Sequence, residues 1–274
     1  TKLWNRSYIL VLIMSTFNYA ASQMVNPFIS KYALSLGATM TVASTVAGLM
    51  SIVALFLRPV SGMCGDKFNR KKIITVTSIV TAVCMVFYAT VKNVPALIVV
   101  RIVHGIVFSF SGVAMMAFNT SFMPKAKMGE GMGWMALSNI ISSALGPNIG
   151  TWIVDKYGYP ACFAVSAVIC LLTTFIILMI PYVSPPKDES SSKKFSINSF
   201  ISLRILPYAG LMGLFSVGNG LVTAFLILLG DERGIENVAL FYTAYSISMV
   251  AVRPFIGKLL DKKGLAIILY PSYV

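Results

Sequence analysis

Eight stretches of roughly 20 predominantly apolar residues follow one another along this chain. They fall near 7–30, 39–62, 73–92, 94–118, 131–155, 159–182, 205–229 and 238–260, and a ninth begins near 265. About 20 apolar residues is the length of one helical crossing of a bilayer's hydrocarbon core. Inside that core each backbone N–H and C=O must be satisfied within its own segment, so each run is expected to be a helix. Composition closes off the soluble alternative. Of 274 residues, 57% are hydrophobic and 11% charged, with a mean hydropathy of +0.81. A water-soluble domain carries about a quarter charged residues, and its surface grows too quickly with volume to hide this much apolar side chain. The expected fold class is an all-α polytopic membrane protein.

The formal charge of +13 would suggest nucleic acid in a soluble protein. Here the cations sit in short clusters between apolar runs, with no basic stripe interleaved with aromatics, so nucleic acid is not an expected partner. The clusters alternate. The N-terminus has Lys2 and Arg6, and the next loop has Lys31 alone. Lys67, Arg70, Lys71 and Lys72 follow, then Lys92 alone; Lys125 and Lys127 follow, then Lys156 alone. The long connection has Lys187, Lys193, Lys194 and Arg204, the next loop Arg233 alone, and the last loop Lys258, Lys262 and Lys263. Cytoplasmic loops collect Lys and Arg. The alternation therefore predicts a multi-pass protein of the cell membrane with a cytoplasmic N-terminus. Sequons at Asn5 and Asn119 fall on that side and are expected to be unglycosylated.

The segment "YVSPPKDESSSKKFSINSFISLR" is rich in Pro, Ser and charge, which marks a linker. Phe195, Ile197, Phe200, Ile201 and Leu203 at its end could form a short interfacial amphipathic piece. It divides the chain into a six-helix bundle over 1–182, a cytoplasmic linker over 183–204 and the start of a second bundle over 205–274. The chain begins at Thr1 and ends in the apolar run "LAIILYPSYV", so a piece of a longer protein is expected. The first apolar run is too long for a signal peptide. Cys64, Cys84, Cys162 and Cys170 lie in or beside apolar runs and read as small buried hydrophobes. There is a single histidine, no set of metal ligands, no nucleotide-binding loop and no catalytic constellation. Neither an enzyme nor a cofactor is expected.

One motif is written twice. "LRPVSGMCGDKFNRKK" spans Leu57 to Lys72, and "VRPFIGKLLDKKGLA" spans Val252 to Ala266. Both read Arg-Pro-x-x-Gly-x-x-x-Asp-Lys: Arg58, Pro59, Gly62, Asp66 and Lys67, then Arg253, Pro254, Gly257, Asp261 and Lys262. Each copy closes the second helix of its bundle, with the arginine marking the cytoplasmic end. The glycine would admit a neighbouring helix. The aspartate would pair with a nearby cation or face a helix N-terminus. Asn69 and Gly264 follow where a tight loop favours left-handed backbone. Duplication of a helical bundle is itself a transporter signature.

The first copy, Gly62-x-x-x-Asp66-Lys67-x-Asn69-Arg70-Lys71-Lys72, resembles the signature between the second and third helices of the major facilitator superfamily. It departs at Asn69, where glycine is usual, and the second copy lacks the trailing basic pair. The resemblance implies twelve helices in two halves, of which this chain would hold about two thirds. It implies that Gly62, Asp66, Lys67, Arg70, Gly257, Asp261 and Lys262 form a cytoplasmic gate. Asp66 would then meet a helix beyond the end of this chain.

Ionisable residues inside the membrane are costly and usually functional. Arg101 lies two turns into the fourth helix, with His104 one turn on, then Gly105 and Ser109. "LIVVRIVHG" resembles the family's fourth-helix signature, with His104 where Gln is common. The resemblance implies proton transfer or substrate binding at Arg101 and His104; a snorkelling Arg and a packed His are the bland alternative. "LGPNIG", with Gly146, Pro147 and Gly150, is similar to the core of a motif of proton-driven antiporters, and equally suits ordinary small-residue packing. Asn18, Gln23 and Asn26 in the first helix, and Asn219 in the seventh, lie on helices that line the family's central cavity. They are candidate substrate contacts or interhelical hydrogen bonds, with Asn139 and Asn148 as weaker candidates. Each Asp and Glu falls in a loop or at a helix end. Proton coupling would therefore need His104 or a carboxylate outside this chain.

These readings converge on a secondary transporter working by alternating access, monomeric at full length, with protons, a small-molecule substrate and the lipid bilayer as partners. Proton-coupled efflux of small organic compounds is the leading expectation. Uptake of a sugar or other metabolite is the alternative, and a non-transporting receptor or assembly subunit a remote one.

Overall fold

A computed structural model describes residues 3–183 and scattered positions between 207 and 259. Gly257, Asp261, Lys262 and Asn219, with Arg253, Pro254, Gly264 and the linker segment from Phe195 to Leu203, lie outside the described residues.

Residues 3–183 are almost wholly helical, with no strand among them. In chain order the helices are α1 (Arg6–Val25), α2 (Ile29–Ser35), α3 (Met40–Lys67), α4 (Arg70–Thr90), α5 (Val94–Thr120), α6 (Met128–Tyr157) and α7 (Tyr159–Met179). The first apolar run is α1 and α2 in series, joined by a 3-10 turn at Asn26–Phe28. Pro27 causes that turn, because its missing N–H cannot continue the helical ladder. Asn5, Thr39, Asn69 and Asn93 start α1, α3, α4 and α5, each side chain accepting from a backbone N–H three residues on. Gly37, at φ 89°, makes the turn after α2, and Gly158, at φ 82°, separates α6 from α7.

Among the described residues, five helical segments are long and apolar enough to cross a membrane: Arg6–Ser35, Met40–Lys67, Arg70–Thr90, Val94–Thr120 and Tyr159–Met179. The sixth expected crossing is a helix of 30 residues, α6. Its Gly, Ser and Asn content makes it less apolar than those five. Large apolar side chains cover the outside of the bundle: Leu55, Phe56, Val76, Val99 and Phe175 are all exposed. Water would not tolerate so continuous an apolar surface, whereas lipid tails match it.

Neighbours in space are mostly not neighbours in sequence. The pairs α3 with α5, α4 with α7, α1 with α6 and α4 with α5 make the main seams, and α1 also packs on α7. Two core layers result. One gathers Tyr8, Met14, Ile74, Met115, Phe118 and Ile177 at the end bearing Arg70–Lys72. The other gathers Ile29, Tyr32, Val46, Met85, Tyr88 and Phe163 at the opposite end. Cys84, Cys162 and Cys170 are buried free thiols, as expected, while Cys64 is half-buried.

The second helix runs further than its sequence suggested. Arg58 and Pro59 lie inside α3, which continues through Gly62 and Asp66 to Lys67. Arg58 therefore does not mark the helix end. Proline costs a helix one hydrogen bond, and here the helix continues past that loss to a C-cap at Phe68.

Candidate functional site

Arg101 and its neighbours dominate the interior. Arg101 is 2% exposed, so it does not snorkel. Its Nε donates to Val46 O at 3.2 Å and its Nη2 to Ala47 O at 2.9 Å, both on α3. Its Nη1 donates to Asn26 Oδ1 at 3.3 Å, at the break in the first span. That break supplies the site: Pro27 turns the chain where Asn26 stands. One turn on, an added Cβ at Gly105 would meet Met50 O and Val53 Cβ, both at 2.9 Å. Only glycine lets α5 lie this close to α3. A further turn on, Ser109 Oγ donates to Ala54 O at 3.2 Å and lies 3.1 Å from Ser61 Oγ. The stripe Arg101, Gly105, Ser109 thus seats α5 on α3.

His104 faces elsewhere. Its Nδ1 lies 3.2 Å from the Tyr88 hydroxyl on α4, and both rings are buried. Tyr88 itself was not legible as a site residue, because nothing in the sequence of α4 singles out one aromatic among several.

The other candidates sit along α1. Gln23 Nε2 donates to Ser143 Oγ on α6 at 2.5 Å, and Ser143 Oγ in turn lies 3.4 Å from Asn139 Oδ1. Asn18 Nδ2 makes a long contact of 3.8 Å to Met115 Sδ on α5. Asn148 turns back to Ala144 O on its own helix. Gly146 and Gly150 face α1. A Cβ at Gly146 would meet Gln23 Cβ at 2.7 Å, and one at Gly150 would meet Met24 O at 2.7 Å. Pro147 lies between them inside α6, where the hydroxyl of Thr151 bonds its carbonyl at 2.8 Å. The structure therefore brings Asn26 to Arg101, and Gln23 to the Gly146–Gly150 stripe.

The gate loop departs from expectation in two places. Asn69 has φ −64°, not left-handed backbone; its side chain caps α4 instead. A Cβ at Gly62 would meet nothing within 4 Å among the described residues. The packed glycine is Gly65, whose Cβ would lie 3.6 Å from Val113 Cγ1. Asp66 and Lys67 are exposed in the last turn of α3, and Asp66 makes no ion pair among the described residues. Arg70 reaches back, with Nε 3.4 Å from Gly65 O and Nη1 3.4 Å from Ala117 O, near the ends of α3 and α5.

The sequence model of the Major Facilitator Superfamily matches residues 11–274. The chain is 24% identical, over 98% of its length and 68% of the relative's, to the staphylopine export protein of Staphylococcus aureus. It is 26% identical, over 99% of its length and 66% of the relative's, to a multi-drug resistance efflux pump PmrA homolog of Lactococcus lactis. It is 23% identical, over 95% of its length and 67% of the relative's, to the multidrug resistance protein MdtG of Dickeya zeae. It thus spans about two thirds of each of these relatives. Among solved structures, the POT family transporter PepTSo matches with a TM-score of 0.62 at 13% identity, over 97% of this chain and 56% of that one. The nucleoside transporter NupG matches with a TM-score of 0.57 at 14% identity, over 98% of this chain and 68% of that one. Those two likenesses bear on the fold alone. With a family match that covers nearly all of its length, the chain belongs to the Major Facilitator Superfamily.

Proposed function

We propose that the protein is a proton-coupled exporter of small organic compounds, working by alternating access between two bundles. The observation that carries this reading is the Gly146-Pro147-x-x-Gly150 stripe against α1, since it is the antiporter-like element of the sequence and both its glycines lie against that helix. The relatives named for export and multidrug efflux support it. In this reading residues 1–182 form the first bundle, 183–204 a cytoplasmic linker and 205–274 the start of the second. The N-terminus is cytoplasmic in the cell membrane, and the full-length protein is a monomer. Arg101 and His104 couple cargo to protons; Asn18, Gln23, Asn26 and Asn219 contact the cargo. Gly62, Asp66, Lys67 and Arg70 form one gate, and Gly257, Asp261 and Lys262 its counterpart.

The test is substrate-dependent proton flux in inverted vesicles holding the full-length protein. Protons leaving the vesicle as cargo enters, in vesicles whose interior corresponds to the cell exterior, is the expected result. Movement of both in the same direction would make the protein an uptake carrier.

A further inference from the structure

The Tyr88 hydroxyl is shared by two ionisable side chains of α5. Its oxygen lies 3.2 Å from His104 Nδ1, and Arg101 hydrogen-bonds the same hydroxyl. A guanidinium can only donate, whereas a hydroxyl has one hydrogen and two acceptor lone pairs. Arg101 therefore takes a lone pair and leaves the hydroxyl hydrogen for Nδ1. Nδ1 must then be the unprotonated nitrogen, with the ring proton on Nε2. The opposite tautomer would set two donors on one oxygen. It would also turn the hydroxyl hydrogen toward the apolar cluster of Met85, Leu97 and Phe163, which costs a hydrogen bond. Packing holds both rings. Tyr88 and His104 are buried and meet edge to face, with ring centroids 5.8 Å apart. Phe163 lies against the Tyr88 ring at 5.5 Å. The Tyr32 hydroxyl donates to Tyr88 O at 3.0 Å and to Val91 O at 2.8 Å, which fixes the end of α4. Rotation about the Tyr88 C–O bond is the freedom that such packing leaves.

We propose that Tyr88 is a positioning residue for proton coupling: its hydroxyl, shared with Arg101, covers His104 Nδ1 and holds the imidazole as the Nε2–H tautomer. Nδ1 is then the nitrogen that accepts a proton, and it does so only once the hydroxyl hydrogen has turned away. With Arg101 in place, a protonated Nδ1 would put a second cation on an oxygen that already accepts from a guanidinium, inside the bundle. Arg101 also donates to Asn26 Oδ1 at the break after α1. One hydroxyl thus links proton uptake on α5 to the seat of α1. This rests on the reading in which His104 carries the coupling proton, and adds the residue that governs its uptake.

Nitrogen NMR of the full-length protein, carrying isotope-labelled histidine in lipid bilayers at neutral pH, reads which ring nitrogen holds the proton. Subtracting the spectrum of His104→Gln isolates this residue. The expected result is a bare Nδ1 and a protonated Nε2, and the wild-type spectrum decides this even where a variant fails to fold. Tyr88→Phe should lower the preference for the Nε2–H form on the order of 5-fold, the factor carried by one ordinary hydrogen bond. Phe163→Leu loosens the packing but keeps the hydroxyl, so its tautomer should match wild type. In vesicles without cargo, Tyr88→Phe should pass protons faster than wild type, since nothing then covers Nδ1. A proton on Nδ1 in wild type, an unchanged tautomer in Tyr88→Phe, an equal change in Phe163→Leu, or a proton leak no faster than wild type would overturn the proposal. The proton-coupled reading fails separately, if transport by His104→Gln keeps its dependence on the proton gradient.

Discussion

Lys71 Nζ donates to Ile180 O at 2.7 Å and to Leu178 O at 3.0 Å. A lysine in the first turn of α4 thus closes the end of α7, more than a hundred residues on in the chain. Arg70 does the same for the ends of α3 and α5. Helix C-termini carry unsatisfied carbonyls and partial negative charge, so cations there satisfy both. The basic run after Asp66 therefore ties three helix ends of one bundle together, besides any part it plays in orienting the protein.

Lys71→Ala should lower stability by about 1 kcal/mol, from two lost hydrogen bonds at a helix end partly replaced by water. Proteolysis after residue 180 should quicken. Thermal unfolding of the detergent-solubilised protein would show the first effect, and timed digestion the second.

Gly105→Ala and Gly62→Ala should part company. The first pushes a Cβ onto Met50 O and Val53, and should cost about 1–3 kcal/mol. The second meets open space among the described residues, and alanine favours a helix over glycine by about 1 kcal/mol. Gly62→Ala should fold normally. A transport defect in that stable variant would place the glycine's contact in the conformational cycle; equal loss of Tm in both would contradict the seam described for α3 and α5.

Asp66→Asn should reduce transport while leaving membrane insertion and Tm unchanged. Asp66 is exposed at the end of α3 with no ion pair in this bundle, so its removal strands no buried partner. Wild-type transport in this variant would remove Asp66 from the gate.

Tyr88→Phe removes the hydroxyl beside His104 Nδ1 and should cost about 1 kcal/mol of stability. His104→Gln keeps a side chain able to bond Tyr88, so the bundle should fold, but it cannot take up a proton. Transport should lose its dependence on the proton gradient. Retention of that dependence would move the proton site out of this bundle.

Within residues 3–183 the sequence determined the helical runs by itself. A helix in lipid must satisfy its backbone locally, so the apolar runs, the loops between them and the caps at Asn5 and Asn93 are decided by nearby residues. The first helix was legible through Pro27 only as a run; the 3-10 turn at Asn26–Phe28 and the extension to Ser35 are its resolved form. The motif marked Arg58, Gly62 and Asp66 as significant, but the place where α3 ends, at Lys67, depends on how far the helix tolerates Pro59. What only the tertiary structure decided is which face of each helix meets which neighbour. Small rotations about a helix axis choose Gly65 over Gly62 for contact with α5, turn His104 to Tyr88 and Arg101 to α3, and lay Lys71 on the end of α7. Those choices are fixed by packing between segments tens of residues apart, where periodicity along one helix carries no information about its partner.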